Sequence, residues 1–357
     1  FGWKELGPEL QNKIIGLYEY PAYVGMVLNS HADLTLEAME TGEPYEIHGG
    51  FIASTNLLAG TCAAQPKRWH DAMVKLDFVF AADCWITPTV QCCADVILPL
   101  ATYAERQSMV GTHYGASPNM LGAVVDAVKV GETKGDLEIQ YELGCRLNPG
   151  TYERFKDFED FRAEFRLGNL GMSYEELREK VVVQRNVSYK KYETGKLRPD
   201  GQPGFLTPTG RVELWSSAFA NNGMDPLPYY YEPDLSPRIP EKSAEDLDLK
   251  RNPLVPEELD AKWHERDLPH EEIMEKYPFI MSTGHRRYSS FHSEHRQVAV
   301  LRELDPNPMI EINPADAERI GVSDGQWVEI SNMFGSAKFK ARVMPTVGEG
   351  HVEVDHG

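Results

Sequence analysis

The chain has 357 residues, 41% of them hydrophobic and 25% charged, a composition that excludes a disordered tail or a fibrous repeat and supplies two or three domains with a core. Its formal charge of -19 argues against nucleic acid as a partner, because a polyanion is bound through a basic surface that releases counterions. The longest apolar runs, residues 78–82 and 96–98, fall far below the ~20 residues of a membrane helix, so no direct membrane span is expected.

In chain order, residues 1–47 carry helix-like stretches, notably 32–41, stopped by Gly42 and Pro44; they read as the tail of a preceding α/β domain. The chain opens on Phe1 without an initiator methionine and closes on Gly357 directly after a strand-like run, so both ends read as cuts in a longer polypeptide. From residue 49 the pattern becomes strand (50–54), helix (67–74), buried strand (78–82) and a third strand (96–98). Such alternation predicts an α/β fold, a doubly wound Rossmann-like domain over residues 48–150 that takes ligands beyond the carboxyl ends of its strands. Residues 151–277, rich in charge, tyrosine and proline, read as a helical and extended connector, with a hairpin at 204–215. From 278 onward, short strands at 279–282, 309–312, 327–330, 337–343 and 351–354 are separated by turn residues, and a helix at 314–320 is capped by Asn313 and ended by Gly321. That spacing predicts a small C-terminal β-barrel over 278–357. The five cysteines, Cys62, Cys84, Cys92, Cys93 and Cys145, contain no CxxC spacing, so neither a zinc knuckle nor an iron-sulfur loop is expected, and they should be free, mostly buried thiols.

Several positions carry possible chemistry. Ser54-Thr55-Asn56 follows the first strand, where backbone amides and a short polar side chain could hold a phosphate or a pterin edge; an ordinary turn explains the three residues at least as well. Asp83 ends the second strand. A carboxylate there accepts two hydrogen bonds from the N1 and N2 donors of guanine, a pattern adenine does not offer, although a turn or cap acid has the same appearance. Asp95, at the start of an apolar strand, reads as structural. Arg106 and Asp136, in loops beyond the sheet, could meet a phosphate and a ribose or base edge, or be solvated surface charges. The densest cluster is Ser282-Thr283-Gly284-His285-Arg286-Arg287-Tyr288-Ser289-Ser290-Phe291-His292-Ser293-Glu294-His295-Arg296, a donor-rich post-strand loop in an acidic protein. It suits an anionic, multi-ring ligand, with arginine forks for phosphate. A zinc site through His292 and His295 is the rival, but no carboxylate or cysteine spacing completes it. GxSxG, GxxxxGK[ST] and HExxH are all absent, which leaves hydrolase and nucleotide triphosphatase readings without an anchor. No GxGxxG follows the first strand, which ranks a nicotinamide dehydrogenase last.

The order of these segments resembles the dimethyl sulfoxide reductase family of molybdopterin oxidoreductases. The resemblance is carried by Asn56, by Asp83-Cys84-Trp85-Ile86-Thr87-Pro88-Thr89, by Ala94-Asp95-Val96-Ile97-Leu98-Pro99 with Glu105, and by Gly131-Glu132-Thr133-Lys134-Gly135-Asp136. It continues through Gly204-Phe205-Leu206-Thr207-Pro208-Thr209-Gly210-Arg211, Asp225-Pro226-Leu227-Pro228, Thr283-Gly284-His285-Arg286 and Glu311-Ile312-Asn313-Pro314-Ala315-Asp316-Ala317. Each motif is weak alone; the ordered set is specific. The resemblance implies a C-terminal part of a catalytic subunit, with a six-stranded, double-psi-like terminal barrel, that binds molybdopterin guanine dinucleotide carrying molybdenum or tungsten. It places cofactor contacts on Asn56, Ala82, Asp83, Arg106, Asp136, Thr283, Gly284, His285, Arg286, Arg287 and His292, and no metal ligand in this chain. It implies a [4Fe-4S] cluster only in an N-terminal part not included here, a small-molecule substrate, and an electron-transfer iron-sulfur subunit as partner. The segment from Phe291 to Gln297 looks most like the branch with thiosulfate and polysulfide reductases, acetylene hydratase and aromatic dehydroxylases. A non-catalytic carrier or assembly protein for the same dinucleotide is the alternative.

Overall fold

The computed structural model describes residues 6–27, 29–61, 65–111, 120–167, 171–184, 188–222, 224–227, 272, 275–285, 295, 298–332 and 335–355. The chain forms two compact units, and the boundary expected at residue 150 falls inside one of them: Gly49–Thr55 with Asp77–Val212 make one unit, and Phe1–His48, Asn56–Leu76 and Glu213–Gly357 the other. Among the described residues no helix is long and apolar enough to cross a membrane.

The first of these units is built on a parallel sheet of β1 (Gly49–Ala53), β2 (Phe78–Asp83) and β3 (Val96–Pro99), with β2 in the middle. The register sets Ala53 beside Ala82 and Ala82 beside Leu98, so the strands end together. Alternation decides the faces: Val79 and Ala81 are buried on one side, while Phe80 stacks on Phe51 of β1 on the other, with centroids 4.5 Å apart. Asp95 fulfils its structural reading, since its carboxylate accepts from Val79 N at 2.8 Å and its own N–H donates to Val79 O. Between β2 and β3, α5 (Pro88–Cys93) starts with proline at its first turn and Thr87 as its cap. Helix α6 (Asp136–Leu147) lays Ile139 and Leu143 over Ala82, Leu98 and Leu100 at the carboxyl end of the sheet.

The end of the expected Rossmann-like segment and the start of the expected connector together form a second sheet. An antiparallel sheet of β4 (Ser108–Gly111), β5 (Met120–Val124) and β6 (Val182–Gln184) packs with α9 (Tyr174–Lys180) around Leu121, Leu167, Tyr174 and Leu177. A reciprocal cap between Ser173 and Glu176 opens α9. The hairpin expected at 204–215 is instead a strandless turn. Phe205 N donates to Gly210 O, and the Arg198 guanidinium lies so close that a Cβ on Gly210, where φ is +71°, would sit 2.5 Å from its Nη1.

In the other unit, α3 (Ala32–Thr41) ends at Gly42 in the left-handed conformation, as expected, and Arg68 of α4 (Pro66–Met73) reaches Glu40 at 2.9 Å. The C-terminal segment forms a curled five-stranded sheet in the order β7–β11–β8–β10–β9, from β7 (Ile280–His285), β8 (Met309–Ile312), β9 (Trp327–Asn332), β10 (Gly335–Val343) and β11 (His351–Asp355). Among the described residues it has five strands rather than the expected six. Its core is Ile310, Ile312, Ala341, Val352 and Val354 with Ala317 of the intervening helix at Pro314–Ile320; each fully buried Ile or Val contributes about 2 kcal/mol. That helix is capped by Asn313 Oδ1 and ended by Gly321, as the sequence predicts.

Candidate functional site

Of the polar groups singled out in the sequence, the carboxyl edge of the parallel sheet and the segments that follow it carry Ser54, Asp83, Arg106 and Asp136. At the end of β1, Ser54 adopts φ +47°, a left-handed conformation costly for a residue with a side chain, and donates its N–H to Ala82 O at 3.0 Å. Ala82 is 3% exposed and packs against Leu100 and Ile139, so anything it gives a ligand comes from its backbone. Asn56 is buried, and its carbonyl accepts from Gly60 N at the start of a single π-turn, Leu57–Thr61.

Asp83 closes β2. Its Oδ1 accepts from Trp85 N at 2.9 Å, so the turn-acid role anticipated for it is realised, and its carbonyl accepts from Leu100 N. A carboxylate has about four acceptor positions, of which this turn contact takes one. The segment after Leu100 is then fixed by Glu105, which takes Thr102 N at 3.0 Å, Thr102 Oγ1 at 2.7 Å and Thr133 Oγ1 at 2.8 Å. These hydrogen bonds, led by the Thr102 hydroxyl, hold the Glu105 carboxyl below its usual range.

Arg106 and Asp136, read separately in the sequence, are partners: an Arg106 Nη1 to Asp136 ion pair joins them. Asp136 lies not in a loop but at the first position of α6, where a carboxylate suits the helix N-terminus. The Tyr103 ring covers the Arg106 guanidinium with its centroid 4.9 Å from Cζ, and Arg106 Nε is buried without a partner. The same neighbourhood governs the exposed Cys84 thiol: burial pushes it up, Asp83 adds to the rise and Arg106 opposes it, with Asp136 and Glu105 raising it further. The cysteines as a group correct the expectation of burial, since Cys84 and Cys92 are exposed and only Cys93 of the four described is buried.

Three carboxylates, Asp83, Glu105 and Asp136, and one guanidinium, Arg106, thus act on the Cys84 thiol, a local excess of two negative charges around it. That balance disfavours the phosphate contact expected of Arg106 and favours a ligand edge rich in N–H or O–H donors. A guanine base or a ribose fits such an edge, and the unpartnered Arg106 Nε adds a buried donor. Nearby, a cavity of about 280 Å³ lined by Leu98, Ile139 and Leu143 has its Lys134 and Glu142 paired with each other, so its charges are already satisfied.

In the C-terminal sheet, Thr283, Gly284 and His285 are the last residues of β7 rather than part of a loop, with His285 opposite Asp355 on β11. Thr283 and Gly284 are exposed. Arg286, Arg287 and His292 lie outside the described residues, and with His292 goes the rival zinc pair. Among the described residues no group of three His, Cys, Asp or Glu is arranged to hold a metal.

Nothing in the sequence singles out Tyr103, and Ser54 stands out there only as part of a turn; a left-handed serine and a ring over a guanidinium are visible only in three dimensions.

Residues 279–357 match the model of the Molydopterin dinucleotide binding domain. Acetylene hydratase of Syntrophotalea acetylenica is 28% identical over 322 residues, which cover 90% of this chain and 38% of that protein. Dopamine dehydroxylase of Eggerthella lenta is 25% identical over 422 residues, 98% of this chain and 37% of that protein. The solved structure of acetylene hydratase from Pelobacter acetylenicus superposes with a TM-score of 0.75 at 24% identity, over 98% of this chain and 46% of that one, and shows the same fold. The chain therefore spans well under half the length of these relatives. Other matched proteins carry dimethyl sulfoxide reductase and thiosulfate reductase names. With its molybdopterin dinucleotide-binding C-terminal segment, the chain is similar over about nine-tenths of its length to molybdopterin oxidoreductases of the dimethyl sulfoxide reductase family.

Proposed function

We propose that this chain is the cofactor-gripping C-terminal part of an enzyme that carries molybdenum or tungsten on molybdopterin guanine dinucleotide, and that Asp83 reads the guanine. The observation that carries this is the excess of carboxylate at the carboxyl edge of the parallel sheet, where Asp83, Glu105 and Asp136 act on the Cys84 thiol together with a single guanidinium, that of Arg106, which pairs with Asp136. Guanine presents N1–H and N2–H donors to such an edge, whereas adenine presents an acceptor at N1 that a carboxylate repels. Arg106, neutralised by Asp136, positions the loop or binds a base or ribose acceptor through Nε. In this reading the backbone of Ala82 belongs to the same sheet edge, and Asn56, with Thr283, Gly284, His285, Arg286, Arg287 and His292 of the C-terminal domain, which we read as a double-psi-like barrel, is assigned to the dinucleotide.

When bound, the cofactor supplies two-electron or oxygen-atom chemistry, and the chain supplies binding, orientation and electrostatics. The similarity to acetylene hydratase and dopamine dehydroxylase supports a small-molecule substrate. We place a [4Fe-4S] cluster and the metal ligand in polypeptide outside this sequence, and an iron-sulfur subunit as electron-transfer partner.

Asp83→Asn in the full-length protein tests the assignment. The amide keeps an acceptor for Trp85 N but turns one carboxylate oxygen into a donor that opposes the guanine edge. Mass spectrometry of the released dinucleotide should show reduced occupancy per protein, with molybdenum or tungsten content falling in parallel. Parental occupancy in that variant would remove Asp83 from the site.

A further inference from the structure

Tyr103 is 73% exposed, yet it is not a loose surface side chain. One face of its ring is occupied by Arg106, 4.9 Å from Cζ to the centroid. Arg106 in turn is held from behind: Asp136 pairs with its Nη1, and Gly135 comes so near that an added Cβ would lie 3.7 and 3.8 Å from the Arg106 Cβ and Cδ. The turn bearing Tyr103 is pinned by the Glu105 contacts to Thr102 and Thr133. Connectivity keeps the ring near Asp83, because Leu100 N donates to the Asp83 carbonyl and Tyr103 follows three residues later, within about 10 Å of Leu100 even if fully extended.

A surface tyrosine normally loses entropy without return when it is immobilised. Here the ring is backed by a clamped cation, the side chain stays largely exposed, and the Asp83 carboxylate stands within a few residues' reach. We infer that Tyr103, backed by Arg106, is a stacking platform for the purine base whose edge Asp83 reads. The inference rests on the guanine reading of Asp83 and adds a division of labour to it. Every base has a π-face, so the platform contributes affinity without selecting among bases. The carboxylate contributes selectivity through the pattern of donors on the base edge. Arg106 strengthens the platform by polarising the ring and by restricting its motion.

The test uses the full-length protein freed of cofactor, titrated calorimetrically with guanosine 5′-monophosphate and adenosine 5′-monophosphate at one salt concentration. Tyr103→Ala and Tyr103→Leu should each weaken both nucleotides by roughly tenfold, the scale of one base–aromatic stack, and leave the guanine-to-adenine ratio unchanged. Tyr103→Phe should bind as the parent does. Asp83→Asn should do the opposite, lowering the ratio far more than it lowers adenosine monophosphate binding. Parental guanosine monophosphate affinity in both Tyr103→Ala and Tyr103→Leu, with the preference still lost in Asp83→Asn, would overturn the platform and leave the base reader standing. A parent protein that does not bind guanosine monophosphate at all would overturn both.

Discussion

The curled C-terminal sheet and the carboxyl edge of the parallel sheet use their carboxylates differently. In the C-terminal segment three aspartates complete the fold: Asp316 accepts Gly350 N at 2.7 Å and Arg319 at 2.6 Å, Asp324 accepts Val343 N at 2.9 Å, and Asp355 accepts Met309 N at 2.9 Å. At the edge of the parallel sheet Glu105 works in that way too, and Asp83 holds a turn, but Asp136 neutralises an arginine whose Nε is buried and, among the described residues, unpartnered. Polar groups whose bonding is complete within the chain mark scaffold; groups left incomplete where a strand ends mark a place that a ligand finishes.

The comparison breaks if the C-terminal sheet proves dispensable for stability. Ile312 is 2% exposed in its core, and Ile312→Ala should cost about 2–5 kcal/mol, read as a lower urea midpoint at unchanged slope, without altering the guanine-to-adenine ratio. A loss below about 1 kcal/mol would mean that this core is not the scaffold described. Asp316→Asn comes next in size. It weakens the pair with Arg319 and the acceptor for Gly350 N, for a cost of about 1–3 kcal/mol near neutral pH. Its Arg319 hydrogen bond, above all, holds the Asp316 carboxyl below the usual range in the folded state. A depressed folded pKa means that the contribution is complete above the unfolded value of about 3.9 and fades as pH falls through the lower folded value. The variant should therefore lose the part of the acid-induced stability decline that lies below about pH 4, and a parental acid limb in Asp316→Asn would remove this residue from the latch.

Much of this scaffold was legible in the sequence, because it rests on local signals. The helix at Pro314–Ile320 is announced by Asn313, Pro314 and Gly321, and β2 by an unbroken apolar run. The sheet of β4, β5 and β6 was not legible: its strands are short, β6 lies 58 residues after β5 ends (182 against 124), and no periodicity announces a pairing at that separation. The site was half legible. Strand ends pointed to Asp83, but Arg106 and Asp136 stood 30 residues apart with no local sign that each satisfies the other. Tyr103 carried no signal at all, since an aromatic residue in a polar turn looks the same whether or not a guanidinium lies beneath it.

The smallest effect is expected at Ser54, and it bears most directly on the contrast between finished and unfinished regions. Left-handed backbone in the C-terminal sheet is given to Gly321, Gly325 and Gly350, which adopt it without steric cost, whereas β1 ends on a serine at φ +47°. Strain alone does not identify a site, because Val181 and Lys190 also have positive φ away from this cluster. What separates Ser54 is that its N–H is tied to Ala82 O, one residue before Asp83, so the strained turn is coupled to the end of β2. Ser54→Gly removes the steric cost but adds freedom to the unfolded chain, and the two terms nearly cancel, leaving a stability change within about 0.5 kcal/mol. If the turn serves a ligand, the same variant should weaken guanosine monophosphate binding two- to threefold, because a glycine leaves the turn less fixed. A variant with unchanged stability and unchanged nucleotide binding would place Ser54 with Val181 and Lys190, as strain that the fold tolerates without using.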